Sequence, residues 1–401
     1  MFDFKDKIIE KGFLTETLES LDFWPDQYYV WREISQNLPN ILPIGEVGIE
    51  VDKMPQIDTT SLDDFHLNNA KLCLGMIAQA YVWEPISRGE SEPRTVLPAQ
   101  IAIPFVEISE RLEEPPILNY ADYVLRNWRK LDPNGDFTTN NLRSLVTFSG
   151  RQDEDQFITV HVAYEAAARE CYKQGIKAME LAQERDAVSL AIILREMADT
   201  IVNMKDVFMT TENIVSAEVF RKHIRQFLKG WNNNVELIYE GTEINASALR
   251  GETGSQSSAM PFLDRIMGCM SLDPVQREIL NEKKSIPVDL ILKDYYDFVN
   301  YMPAPHRKFL EEIYQKSQVR SFVIENGSSD LVRAYNNCVG NILLMRTSHF
   351  KMIPKYISNP GDKNNTGYGT GGTSYVTYLG TLRNVTESAA INSKDGEHPN
   401  F

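Results

Sequence analysis

The sequence predicts an all-α protein, with a small N-terminal helical domain packed on a larger C-terminal helical bundle. Three observations carry this. Apolar residues recur three and four apart over long segments with few breakers, most clearly from residue 157 onward. Strand signals are few, and no fixed-period repeat appears. A strong turn, Asp132-Pro133-Asn134-Gly135, stands beside a polar run to Arg143 and a second polar stretch over 149–156, where a domain boundary is expected. The expected division is therefore 1–146 and 147–388, with a polar tail, 389–401, expected to be disordered.

Each element has its own signal. Pro25, Pro39, Pro43 and Pro55 break residues 1–60 into short helices and loops. Leu67, Ala70, Leu74, Ile77 and Tyr81 mark a buried helix that leads into Trp83. Residues 87–95 read as a surface loop, and Pro98 and Pro104 predict irregular structure over 96–106. After Pro115-Pro116, the residues Leu118, Tyr120, Tyr123, Val124 and Trp128 predict a helix over 117–128. A long, nearly breaker-free helix follows over 157–185, interrupted only by Gly175, and a second over 186–210. Phe220, Ile224, Phe227, Leu228 and Trp231 form one stripe, predicting a helix over 216–231. Shorter helices are expected over 257–268, 287–301 and 305–315. The last long one covers 330–357, with Leu331, Tyr335, Cys338, Ile342, Met345 and His349 on one stripe. Pro354 should kink its final turn before Asn359-Pro360-Gly361 stops it.

Composition excludes several function classes. A net charge of −15 over 401 residues argues against nucleic acid and anionic membrane as partners. No run approaches the roughly 20 apolar residues that a membrane helix needs. The N-terminus carries acids and lacks the apolar stretch of a signal peptide. Cys73, Cys171, Cys269 and Cys338 stand far apart without a CxxC pair, as reduced thiols of a cytoplasmic protein do.

Five features could carry chemistry. His349 ends an apolar stripe and is either a core histidine bonded to a carbonyl or an axial ligand to iron, with Arg346 reaching an acidic group of the cofactor. His161 precedes Glu165 by one turn, a spacing that serves metal sites and plain helix surfaces alike. Arg225, one turn beyond Arg221, is either a solvated basic edge or a guanidinium that grips a carboxylate beside a cavity. The small-residue loop Arg250-Gly-Glu-Thr-Gly-Ser-Gln-Ser-Ser258 lets backbone approach a ligand closely, although inert turns look the same. Gly367-Tyr-Gly-Thr-Gly-Gly-Thr373 is either a linker or an active-site lid.

Taken together these stretches resemble the indoleamine 2,3-dioxygenase family from about Leu67 to Glu387. The blocks that carry the resemblance include Ala80-Tyr-Val-Trp83, Val96-Leu-Pro98, Pro115-Pro-Ile-Leu118, Tyr239-Glu-Gly241, Gln256-Ser-Ser258, His306-Arg307, Arg346 with His349, and Gly369-Thr-Gly-Gly-Thr373, in the family's order. The resemblance implies haem b held by the larger domain, O₂ as co-substrate, a small-molecule indole substrate, an electron donor that keeps the iron ferrous, and a monomer. His349 matches the family's proximal iron ligand, and Arg346 with Asp264 matches the pair that secures a haem propionate. Arg225 matches the arginine for the substrate carboxylate, with Phe220 beside it. Thr253 and Gly254 match the loop over the haem edge, Thr370 belongs to the lid, and Tyr120, Tyr123, Val124, Phe157 and Leu228 belong to the indole pocket. Three positions depart from the animal pattern. His161 stands where animal members place a serine, and is similar to the distal histidine of tryptophan 2,3-dioxygenase. Tyr123 replaces a small residue, and Arg221 replaces an aromatic one. The implied reaction is cleavage of the indole C2–C3 bond of L-tryptophan to N-formylkynurenine. The rivals are a haem enzyme acting on a modified indole and a haem-binding sensor without turnover.

Overall fold

A computed structural model describes residues 12–15, 26–231, 235–272, 274–282, 287–357 and 367–392. Helices dominate, as the periodicity predicts, and the described strands are two-residue pairings: Val96–Leu97 runs parallel to Ile238–Tyr239, and Arg129–Lys130 antiparallel to Leu142–Arg143. In chain order the helices used below are α1 (Tyr29–Ile41), α2 (Val47–Asp52), α3 (Asp64–Ser87), α4 (Ala99–Arg111), α5 (Gln152–Glu184), α6 (Ala187–Met209), α7 (Ala259–Ile266), α8 (Pro274–Glu282), α9 (Val288–Val299), α10 (Ala304–Lys316), α11 (Val319–Asn326), α12 (Ser329–Ile357) and α13 (Tyr375–Glu387). One apolar core runs continuously from Phe13 to Ile391, and a second, smaller cluster joins α9 to α13 through Phe298, Tyr378 and Leu382.

The scaffold of the site is α5, α6 and α12. Asp153, Glu154 and Asp155 occupy the first turn of α5, where negative charge suits the helix N-terminus. The helix ends at Arg185, whose φ of 62° reverses the chain. Asp186 then caps α6 by accepting from Ser189 N at 3.0 Å. α12 lies along α6, where Cys338 Sγ donates to Leu194 O at 2.9 Å and Asn341 Nδ2 to Ala198 O at 3.0 Å. Gly175 lets α7 press on α5, since a Cβ there would stand 2.7 Å from the Phe262 ring.

Four expectations need correction. Residues 99–111 form α4 despite Pro104, because Ile101, Phe105 and Ile108 are buried on one face. Burying three such side chains contributes about 1.5–3 kcal/mol each, more than the ~3 kcal/mol that one interior proline costs. Between 117 and 128 the helix is only a wide π turn, Ala121–Leu125, opened by Asn119, whose side-chain oxygen accepts from Asp122 N at 2.9 Å. The single helix expected over 216–231 is one α turn (Ala217–Val219), a π turn (Phe220–Ile224) and a 3-10 turn (Arg225–Leu228). The tail is packed at its start: Ala389 and Ile391 are buried, and Ile391 exchanges backbone hydrogen bonds of 2.8 and 2.9 Å with the Asn336 amide. Residues 393–401, like the stop expected at 359–361, lie outside the described residues.

Candidate functional site

α5, α6 and α12 meet around a cavity of about 240 Å³, far more than the roughly 10–15 Å³ that one water needs. His161 of α5 and His349 of α12 both line it. Phe208, near the end of α6, lies edge-on to both imidazoles, with ring centroids 5.5 Å from His161 and 5.3 Å from His349. Burial lowers both histidines to about pH 4, and each faces the other's charge or a backbone group rather than a carboxylate. Both rings are therefore neutral at pH 7. His161 Nδ1 stands 2.7 Å from Phe157 O, a contact that requires Nδ1 to carry the proton and leaves Nε2 as an acceptor.

The walls are apolar and aromatic. Tyr120, Phe157, Phe220 and Leu228 line the cavity, with Phe157 tilted 4.6 Å from His161 and 4.8 Å from Phe220. Tyr120 is fixed by two partners: its N–H donates to Gln256 Oε1 at 2.9 Å, and its hydroxyl to Glu165 at 3.0 Å, which also accepts from Ser257 at 2.5 Å. Tyr123 and Val124 do not line the cavity. Tyr123 is fully buried behind Phe157, donates to Glu154 at 3.2 Å and stacks on Phe148. The π turn explains the difference, because wide winding re-aims the residues after Tyr120 into the core.

Arg225 reaches the cavity through the same device. The change from π to 3-10 winding takes it off the outer edge that Arg221 occupies. Its Nη2 donates to Tyr368 O at 2.6 Å, and burial lowers its pKa. Arg221 is not at the cavity: it donates to Lys355 O near the end of α12, where a cation meets unsatisfied carbonyls. Residues 367–373 are docked rather than free. Gly230 N donates to Thr370 O at 3.4 Å, Thr370 Oγ1 donates to Glu252 O, and Thr370 lines the cavity. Thr253 and Gly254 line it from the loop before α7.

Opposite these, Arg346 lines the cavity and pairs with Asp264 at 2.7 Å, which also accepts from Tyr295 at 3.0 Å. Asp264 itself stands behind the arginine, with Oδ1 buried and unpartnered. Among the described residues no group of three or more His, Cys, Asp and Glu could hold a metal ion. An iron here would thus have too few protein ligands among the described residues to be held without a porphyrin. The residues fit that group: a neutral imidazole with a free nitrogen, a buried arginine for an acidic substituent, and an apolar cleft between them.

Sequence reasoning missed Phe208 and Glu252. Phe208 lies on the α6 stripe, where nothing separates a wall residue from a core one. Glu252 is an acid amid small residues, a pattern that a solvated loop shares.

The chain matches the indoleamine 2,3-dioxygenase family over residues 5–389. It is 33% identical to indoleamine 2,3-dioxygenase 1 of Mus musculus, over 92% of this chain and 90% of the relative. Indoleamine 2,3-dioxygenase qulI of Penicillium citrinum is 27% identical over 96% and 88%. A myoglobin of Haliotis madaka is 25% identical over 94% and 95%. With that match along nearly its whole length, the chain belongs to the indoleamine 2,3-dioxygenase family of haem-dependent, O₂-using oxidoreductases.

Proposed function

We propose that the enzyme opens the indole ring of L-tryptophan, adding both atoms of O₂ across C2–C3 to give N-formylkynurenine. The observation that carries this reading is one apolar cavity lined by two neutral imidazoles and an arginine that has no carboxylate partner among the described residues. Bound haem b supplies the ferrous iron at which O₂ reacts, kept reduced by an external electron donor. His349 would hold that iron, and Arg346 would meet a propionate. Arg225 neutralises the substrate carboxylate. His161 accepts the indole N–H at Nε2 and orients the ring, which the aromatic walls keep dry. Residues 367–373 close the cleft over Arg225.

Reduced, haem-loaded protein given L-tryptophan and O₂ should yield a product heavier by two oxygen atoms. A stable O₂ complex with unchanged tryptophan would overturn the reading in favour of an O₂-binding protein, the kind of name one relative carries. His349→Ala should lose the Soret band while keeping the helical circular dichroism, and full haem retention would sink its role.

A further inference from the structure

Resting on the amino-acid substrate proposed above, we propose that Glu252 binds the substrate's ammonium group, so that the site selects a zwitterionic indolyl amino acid over an indole bearing a single charge. Glu252 is 4% exposed and lines the cavity. Other buried carboxylates in the described residues have at least one oxygen engaged: Glu154 accepts from Phe148 N and Ser149 N, Glu165 from Tyr120 and Ser257 at Oε1, Glu84 from Val47 N and Arg94. The Glu252 carboxyl accepts no hydrogen bond and pairs with no cation among the described residues, and burial alone pushes it up to about 8. A buried polar group left without a partner costs free energy, and is retained where a ligand completes it.

The charges around the cavity identify that ligand. Arg346 is neutralised by Asp264. Among the protein's own described groups this leaves Arg225, bonded only to a carbonyl, and Glu252, an acid that burial keeps protonated until a cation beside it draws it into the carboxylate form. They belong to one local assembly. Arg225 holds Tyr368 O, and Glu252 O holds the Thr370 hydroxyl, two residues along the same segment. Beneath them the backbones of Gly230 and Gly251 abut, since a Cβ on Gly230 would lie 2.2 Å from Gly251 N. An α-amino acid, with carboxylate and ammonium on one carbon, matches such a pair. The indole would then extend toward His161, past Tyr120.

The test uses haem-loaded enzyme and equilibrium titration followed by the Soret band. Three ligands serve as probes: L-tryptophan with both charges, indole-3-propionate with the carboxylate only, and tryptamine with the ammonium only. Glu252→Gln, which keeps shape, should weaken L-tryptophan and tryptamine by about tenfold or more and leave indole-3-propionate within about twofold. Equal weakening of all three would show that the residue merely packs the loop, and overturns the proposal. Unchanged ligand affinities with a shifted haem dissociation rate would instead assign Glu252 to the cofactor, and also overturn it. The outcomes separate the two readings. Wild type that binds tryptophan in a Glu252-dependent way but forms no oxygenated product keeps the ammonium site and loses the dioxygenase activity.

Discussion

Two clusters of charge in this molecule are built on opposite terms. Near the N-terminal helices, Lys71 of α3 lies 2.6 Å from Asp122 and 3.2 Å from Glu114, while Arg126 bonds Asp122 at 2.5 Å and Glu114 at 3.0 Å. Every member has its counter-charge. Burial would push the Glu114 carboxyl up, but Arg126 and Lys71 beside it hold it well below the usual range. Around the cavity, Arg225 and Glu252 have no counter-charge among the described residues. The first arrangement specifies the fold, tying α3 to the wide turn that places Tyr120. The second leaves its interactions to be completed by a ligand. The difference tells which buried charges to read as structure and which as function.

The largest expected effect comes from breaking the satisfied cluster. Lys71→Met leaves Asp122 and Glu114 with one cation for two carboxylates in a dry site, and should cost about 3–5 kcal/mol. Chemical denaturation of the haem-free protein measures it. A loss below about 1 kcal/mol would mean that the cluster relaxes by admitting water, and the contrast would weaken.

Arg225→Ala should leave the fold nearly as stable, because the arginine's described partner is a single carbonyl. It should lower kcat/KM for L-tryptophan by about a hundredfold, the effect of ~3 kcal/mol from a lost charge-assisted pair. Indole derivatives without a carboxylate should lose much less. An equal loss on both would show that Arg225 acts by holding residues 367–373 in place.

How much of this was legible in the sequence follows from the same distinction. The long helices and His349 sit on regular stripes, so a period of 3.6 residues places them. His161 lies on a similar face of α5. What the periodicity could not give is the winding of the turns around the pocket. A π turn turned Tyr123 and Val124 away from the cavity, and a π-to-3-10 change brought Arg225 in and left Arg221 at the end of α12. Such winding depends on partners that a helical period does not register: the Asn119 cap beside the turn, and Lys71, which reaches Asp122 from α3. Glu252 was unreadable for another reason. An acid in a small-residue loop looks solvated until the structure shows it buried and unpartnered.

Glu252→Gln sharpens the contrast in stability rather than activity. A carboxyl raised from 4.5 to about 8 keeps its proton in the folded state while the unfolded chain loses it. The folded state therefore binds more protons across that window, and stability falls as pH rises through it. Removing the charge should thus stabilise the empty protein, by a few kcal/mol at pH 8 and by almost nothing below pH 4.5. Melting curves of both proteins across that range measure the difference. A difference independent of pH would mean that the carboxyl is hydrated in solution.

The smallest effect belongs to His161, a neutral group between the two extremes. Its Nδ1–H is committed to Phe157 O at 2.7 Å, so only Nε2 can meet the indole N–H, and as an acceptor. Such a neutral hydrogen bond contributes about 0.5–1.5 kcal/mol, so His161→Ser should keep activity within about tenfold of wild type. Two further readouts isolate the role. With its pKa lowered by burial to about 4, the ring stays an acceptor down to pH 5, so kcat/KM should show no histidine-dependent fall between pH 7 and 5. L-tryptophan methylated on the indole nitrogen has no N–H to offer and adds bulk beside the ring. The wild type should discriminate against it, and His161→Ser, with a shorter side chain, should discriminate less. Complete inactivation of the variant with haem retained would show that the imidazole moves a proton during turnover. A group that only orients its substrate leaves a working, less selective enzyme when it is shortened.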